Sequence, residues 1–228
     1  MRWHLITGEY PPQPGGVSDY TRQLAQGLAD VGDEVHVWTV GDFPSTTQVD
    51  GVIVHRLSSG FGVHGLRQLD RGLRDFPATD RVVVQYVPHM YGYKAMNLGF
   101  ALWLRLRARR YWIMFHEVAF PIEYRQKLRH NLVGGVTRVM AHWVAQGAEK
   151  IFVSVPYWET VLRKQCFVRC PVCWLPAPSN LPTEVDAQAA ARTRSQLFPE
   201  ADTIAIGHFS TYQEGIAANL RQVLPPLL

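Results

Sequence analysis

The chain has 228 residues, 47% of them hydrophobic and 18% charged, with a formal net charge of +4 and a pI near 9.1. That balance describes an ordinary globular protein, long enough for one large domain or for one domain and part of another. The mild basicity is a weak nucleic-acid signature, so no nucleic-acid partner is expected, and it suits an anionic substrate or a membrane surface at least as well.

Met1-Arg2-Trp3-His4-Leu5-Ile6 enters a strand at once, without the basic start, apolar middle and small-residue cleavage site of a signal peptide. Residues 3–7 are expected as a strand and 17–31 as a helix, with Leu24 and Leu28 at core spacing and Ser18 or Asp19 to cap it. Strands are expected at 34–40 and 52–56, and a short amphipathic helix at 66–75. The run 81–87 is rich in β-branched residues and apolar on both faces, as a central parallel strand should be. A helix over 95–110, a buried strand over 111–115 and a long helix over 123–147 follow. The apolar stretch from Leu98 to Leu104 is far shorter than the roughly 18 residues of a spanning helix. Next come a strand at 151–155, a helix at 156–165 opened by Pro156, and a last short strand at 172–175.

Cys166, Cys170 and Cys173 are odd in number, which argues against a disulfide framework. A zinc site would need a fourth ligand, and no His or further Cys lies beside them. Free thiols in a reducing cytoplasm are the alternative, so no metal is expected and the location reads as cytoplasmic. The proline-rich break ending in Ser179-Asn180-Leu181-Pro182 is a candidate domain boundary. Residues 1–182 form one expected domain, and 183–228 a linker helix near 186–197 with the opening strand (203–207) and helix (215–228) of a second. Strands alternating with helices predict an α/β fold, a doubly wound parallel sheet.

The turn Glu9-Tyr10-Pro11-Pro12-Gln13-Pro14-Gly15-Gly16-Val17-Ser18-Asp19-Tyr20 joins the first strand to the first helix, where a doubly wound domain meets its ligand. Two adjacent glycines admit a ligand close to the backbone. Their amides, with the helix N-terminus, favour an anionic or hydroxyl-rich group. His116-Glu117 follows the strand 111–115 at the carboxyl end of the sheet, where a His can donate a hydrogen bond or move a proton; the other reading is a His that caps the strand. Gln85-Tyr86-Val87-Pro88-His89-Met90-Tyr91-Gly92-Tyr93 gathers three Tyr and one His near the same edge. Aromatic faces there suit sugar or lipid-headgroup recognition, or simply cover the core. Arg105, Arg107, Arg109 and Arg110, beside Trp103 and Trp112, with Arg67, Arg71 and Arg74, would suit an anionic membrane surface or form a solvated face.

With E-Y-P-P, G-G-V, the H-E pair, Q-Y-V-P and S-N-L-P in this order, the chain resembles the N-terminal domain of family-4 GT-B glycosyltransferases. The resemblance implies a Rossmann-like GT-B N-terminal domain and retaining transfer of a sugar from a nucleotide sugar, with no cofactor and no metal. It implies catalytic roles for His116 and Glu117, and substrate binding by Gly15, Gly16, Val17, Tyr20, Tyr86, His89 and Tyr91. Implied partners are the nucleotide sugar and a sugar or lipid-linked acceptor, with peripheral membrane contact. In the family the second domain holds the donor through two glutamates eight positions apart and a basic phosphate loop. No two glutamates here have that spacing, and His208-Phe209-Ser210-Thr211-Tyr212 holds no Lys or Arg. The expectation is therefore a truncated chain whose donor half lies on a continuation or a partner chain, or else a non-catalytic binding module. Competing motifs are missing where they would signal another chemistry: no G-x-G-x-x-G in the turn directly after the first strand, no Gly-Lys-Ser/Thr, no G-x-S-x-G, and no second His at metalloprotease spacing.

Overall fold

The computed structural model describes residues 1–106, 110–179, 184–200, 202–205 and 214–223. The expectations on Arg107, Arg109, the 180–182 turn, Ile206, Gly207, the loop from His208 to Tyr212 and the end from Pro225 to Leu228 lie outside the described residues. The chain divides into two compact units, Met1–Asn180 and Leu181–Leu228.

The first unit is a sheet of eight strands wrapped by helices. In chain order they are β1 (Arg2–Ile6), α1 (Gly16–Asp30), β2 (Glu34–Val40), β3 (Ser45–Val49), β4 (Val52–Leu57), α2 (Val63–Arg74) and β5 (Arg81–Tyr86). Two 3-10 turns, Pro88–Tyr91 and Tyr93–Ala95, lead to α3 (Leu98–Leu106), β6 (Tyr111–Phe115), α4 (Leu128–Gly147), β7 (Ala148–Val153), α5 (Pro156–Gln165) and β8 (Val172–Trp174). The strand order is β3-β4-β2-β1-β5-β6-β7-β8, and only the β3–β4 pairing is antiparallel.

Alternating side chains build a core on each face of the sheet. Leu5, Val35, Val37, Val52, Val54 and Val83 point to one face and meet Ala25 of α1, with Leu24 and Leu28 half-buried beside it. Ile6, Trp38, Val84, Ile113 and Phe115 point to the other, against Leu69 and Leu73 of α2, Phe100 of α3 and Val144 of α4. Both faces of the central strands are thus dry, which is why their sequences read as continuous apolar runs. The first connection, through α1, carries the chain from β1 outward to β2. After β4, α2 brings it back past β1 to β5. The winding therefore reverses between β1 and β5, and a crevice opens at the carboxyl ends of those two strands.

The second face also encloses a polar network around β1, β2 and β4. Buried His4 lies 3.2 Å from Asp80 through Nε2 and accepts the Trp38 indole N–H at Nδ1, also 3.2 Å. His36 lies 2.9 Å from His55 and 2.9 Å from Glu34. The Arg2 guanidinium and then His36 hold the Glu34 carboxyl down at about 2. Burial, with His36 alongside, lowers His55 to about 4.

Several expected boundaries move. β3 has no counterpart in the sequence reading: Ser-Thr-Thr-Gln-Val carries no apolar alternation, and all five residues are exposed. α4 begins at Leu128 rather than 123, because the segment before it is tied as a turn, the Glu123 and Asn131 groups bonding each other at 3.0 Å twice. α1 is capped by Gly15, not by Ser18 or Asp19; the Ser18 hydroxyl is committed elsewhere. Residues 203–205 form no strand. All three cysteines are free, and burial pushes the Cys166 thiol up to about 11. Among the described residues no group of three or more His, Cys, Asp or Glu could hold a metal ion, and no helix is long and apolar enough to cross a membrane.

The second unit contains α6 (Ala187–Leu197) and α7 (Glu214–Val223). Asp186 caps α6, its carboxylate accepting from the amides of Gln188 at 3.0 Å and Ala189 at 2.9 Å.

Candidate functional site

The turn between β1 and α1 is clamped from several sides. The Thr7 hydroxyl donates to the Glu9 carbonyl at 2.9 Å, and the Ser18 hydroxyl to the Gln13 carbonyl at 2.7 Å. From β4, the Arg56 guanidinium donates to the Pro11 carbonyl at 2.7 Å. Gly8 lies flat against the loop after β5: a Cβ there would stand 2.8 Å from the Met90 carbonyl carbon and closer still to its oxygen. These ties present Gly15 and Gly16 at the start of α1. The Asp19 amide bonds to the Gly15 carbonyl at 3.0 Å, so the amides before it have no intrahelical acceptor and the positive end of the helix dipole faces out. A Cβ on Gly16 would meet nothing within 4 Å, and one on Gly15 would meet the carboxylate end of Glu9 and, at 3.8 Å, the Ser18 Cβ.

His116 sits on the far side of the β1/β5 reversal, at the end of β6. Its backbone amide bonds to the Tyr86 carbonyl at 3.0 Å, and its carbonyl accepts from the Ser154 hydroxyl at 3.1 Å. The ring Nε2 lies 2.8 Å from Gln85 Oε1, and the Tyr20 ring of α1 meets it edge-on at 4.7 Å. Burial lowers His116 to about 4, so the imidazole is neutral at pH 7. Burial likewise raises the Tyr20 phenol. A neutral ring in that setting offers one donor and one acceptor rather than a charge. Glu117 is half-exposed and lies 3.8 Å from equally exposed His89, a loose pair at the rim of the same edge.

The structure thus brings together Gly15, Gly16, Val17, Tyr20 and His116 around the start of α1, with His89 and Glu117 beside them. It does not bring Tyr86 and Tyr91 to that surface, and this corrects the sequence reading. Their rings are 0% and 1% exposed and pack with Phe115 and Phe100 in the core, because burial of an aromatic ring outweighs its exposure in a loop this close to the sheet. Tyr93 is the ring of that turn that faces out. Arg81 and Lys150 stack over Trp112, 5.5 and 4.4 Å from its ring.

Sequence reasoning passed over Gln85. A polar residue inside an otherwise apolar central strand is its only signal, and such a side chain needs a buried partner. Arg56, which holds the glycine turn from β4, gave no sign at all.

The chain aligns with sucrose-phosphate synthase from Thermosynechococcus elongatus at a TM-score of 0.63 and 18% identity, over 98% of this chain and 60% of the synthase. The fold is GT-B-like. An alpha-glucosyltransferase solved in complex with UDP aligns at a TM-score of 0.46 and 16% identity over 79% of this chain and 45% of that one, too low to add to the argument. In sequence, 59 residues are 42% identical to an uncharacterized glycosyltransferase of Methanocaldococcus jannaschii, spanning 25% of this chain and 15% of that protein. No protein-family model matches the chain. In this GT-B-like unit, the glycine turn and His116 occupy the two sides of the crevice.

Proposed function

We propose that the chain is the N-terminal, acceptor-side part of a glycosyltransferase. The whole enzyme moves a sugar from a nucleotide sugar to a sugar or lipid-linked acceptor, with retention of configuration and without a metal. The donor half is carried on further chain or on a partner chain. The observation that carries this reading is the convergence of the Gly15–Gly16 helix start and neutral His116 on the β1/β5 crevice, 4.7 Å separating the rings of Tyr20 and His116. The sequence match to a glycosyltransferase supports it independently.

In this mechanism the exposed amides of α1 face the diphosphate, and the missing Cβ atoms let it approach the backbone. His116 bonds a hydroxyl of the transferred sugar as a neutral group, and Glu117 with His89 orients the ligand at the rim. Tyr20 closes one wall. Tyr86 and Tyr91 act from behind, supporting the strand and turn that carry Gln85 and His89. The alternative, a non-catalytic binding module of acceptor or membrane surface, draws on the absence of two glutamates eight positions apart anywhere in the 228 residues.

His116→Ala, placed in the chain joined to a donor-binding half, is expected to lower turnover by about 10²-fold or more, the usual contribution of a positioned polar or acid–base group. Turnover within a few-fold of the parent would remove His116 from the site. Tight binding of a nucleotide sugar by the 228-residue chain alone would overturn the division of labour between two halves.

A further inference from the structure

We propose that Gln85 is a positioning residue that fixes the ring tautomer of His116, so that Nε2 carries the proton and Nδ1 is left as the acceptor. This deepens the site reading above and rests on it only for the identity of the group that Nδ1 meets, a substrate hydroxyl donating its proton.

The side chain of Gln85 is 0% exposed, in the middle of the sheet, and its Oε1 lies 2.8 Å from His116 Nε2. An amide oxygen can only accept, so the ring nitrogen facing it must donate. Burial keeps His116 at about 4, so near pH 7 the ring has a single proton, and that proton is at Nε2. The ring has little freedom to turn away. Its backbone is tied to Tyr86 and to Ser154, and Tyr20 meets it edge-on. Gln85 is anchored in turn, its own backbone carbonyl accepting the hydroxyl of buried Tyr91. The buried rings of the Tyr86–Tyr91 turn thereby acquire a role that needs no contact with ligand. Among the described residues the Gln85 amide nitrogen has no partner although it is buried.

A neutral Nε2–H histidine cannot supply a proton from Nδ1. It accepts a hydrogen bond, which selects hydroxyl-bearing ligands over ligands that offer only acceptors.

The test is the long-range 1H–15N spectrum of the imidazoles in the full chain near pH 7, without substrate. The His116 signals are assigned among the nine histidines by their loss in His116→Ala. The expected result is a protonated Nε2 and a lone-pair Nδ1. In Gln85→Glu the carboxylate can also only accept, so in spectra taken at pH 8 or above the tautomer is kept, while the added negative charge raises the His116 pKa by on the order of 1 to 3. In Gln85→Leu the single-tautomer signature is lost. A protonated Nδ1 in the parent, or a Gln85→Leu chain that folds and keeps the parent's signals, overturns the proposal. Should Gln85→Leu fail to fold, the parent and Gln85→Glu spectra still decide. Because no substrate is present, this result is independent of whether the protein transfers a sugar.

Discussion

Two glycines at the crevice separate structural from functional need. At Gly8 a methyl group would push into the backbone of Met90, so Gly8→Ala forces the β1 and β5 loops apart and is expected to cost about 1–3 kcal/mol in chemical denaturation, as overpacking does. At Gly16 a methyl group meets open space, so Gly16→Ala should leave the unfolding midpoint unchanged or slightly raised. Its effect should appear in turnover of the complete enzyme, as a rise in KM for the donor. A Gly16→Ala enzyme with parental kinetics would mean that no ligand approaches that backbone. The glycine doublet was legible in the sequence because glycine pairs at a strand–helix junction have few other uses. The inward turn of Tyr86 and Tyr91 was not, since a loop sequence does not reveal which of its rings the chain folds under itself. Nor was the Gln85–His116 contact, which joins residues 31 apart through strand pairing.

At the scale of elements, α2 is held by one apolar stripe, Leu66, Leu69 and Leu73, pressed on the sheet beside Trp38. Leu69→Ala empties a fully buried site and should destabilise by about 2–5 kcal/mol, read as a shift in denaturant midpoint at constant slope. The histidines in the strands and their loops add a pH dependence. His55 and His116 both have folded values near 4, below the ordinary histidine value of 6.5. The unfolded chain therefore binds protons first on acidification. The stability they contribute is complete above about pH 6.5 and is lost as pH falls toward 4, by about 1.4 kcal/mol for each tenfold gap in proton affinity, less for the partly exposed His55. Thermal unfolding followed from pH 7 to pH 4 should show this decline, and His116→Ala should flatten it. The bounds of β2, β6 and α5 could be read directly, because β-branched or aromatic runs and a proline at the first turn mark them. The start of α4 could not, since polar residues ahead of Leu128 fit a helix or a hydrogen-bonded turn equally well.

At the scale of the molecule, the reversal between β1 and β5 opens a crevice at the carboxyl edge of the sheet, the kind of place where open α/β sheets receive ligands. Alternating β and α signals foretold that arrangement; the antiparallel β3 was the exception, having no apolar pattern to betray it. Its five exposed, mostly polar residues have a consequence for the protein in concentrated solution. β3 pairs with β4 from Ser45–Arg56 to Val49–Val52, leaving out Leu57 alone, so the apolar β4 does not show a row of open amides and carbonyls to another molecule. A strand edge of that kind is a template for intermolecular pairing, and a short polar cover removes it. Deleting residues 44–50 should leave the crevice assembled yet produce concentration-dependent scattering, so that β3 acts as a guard against self-association.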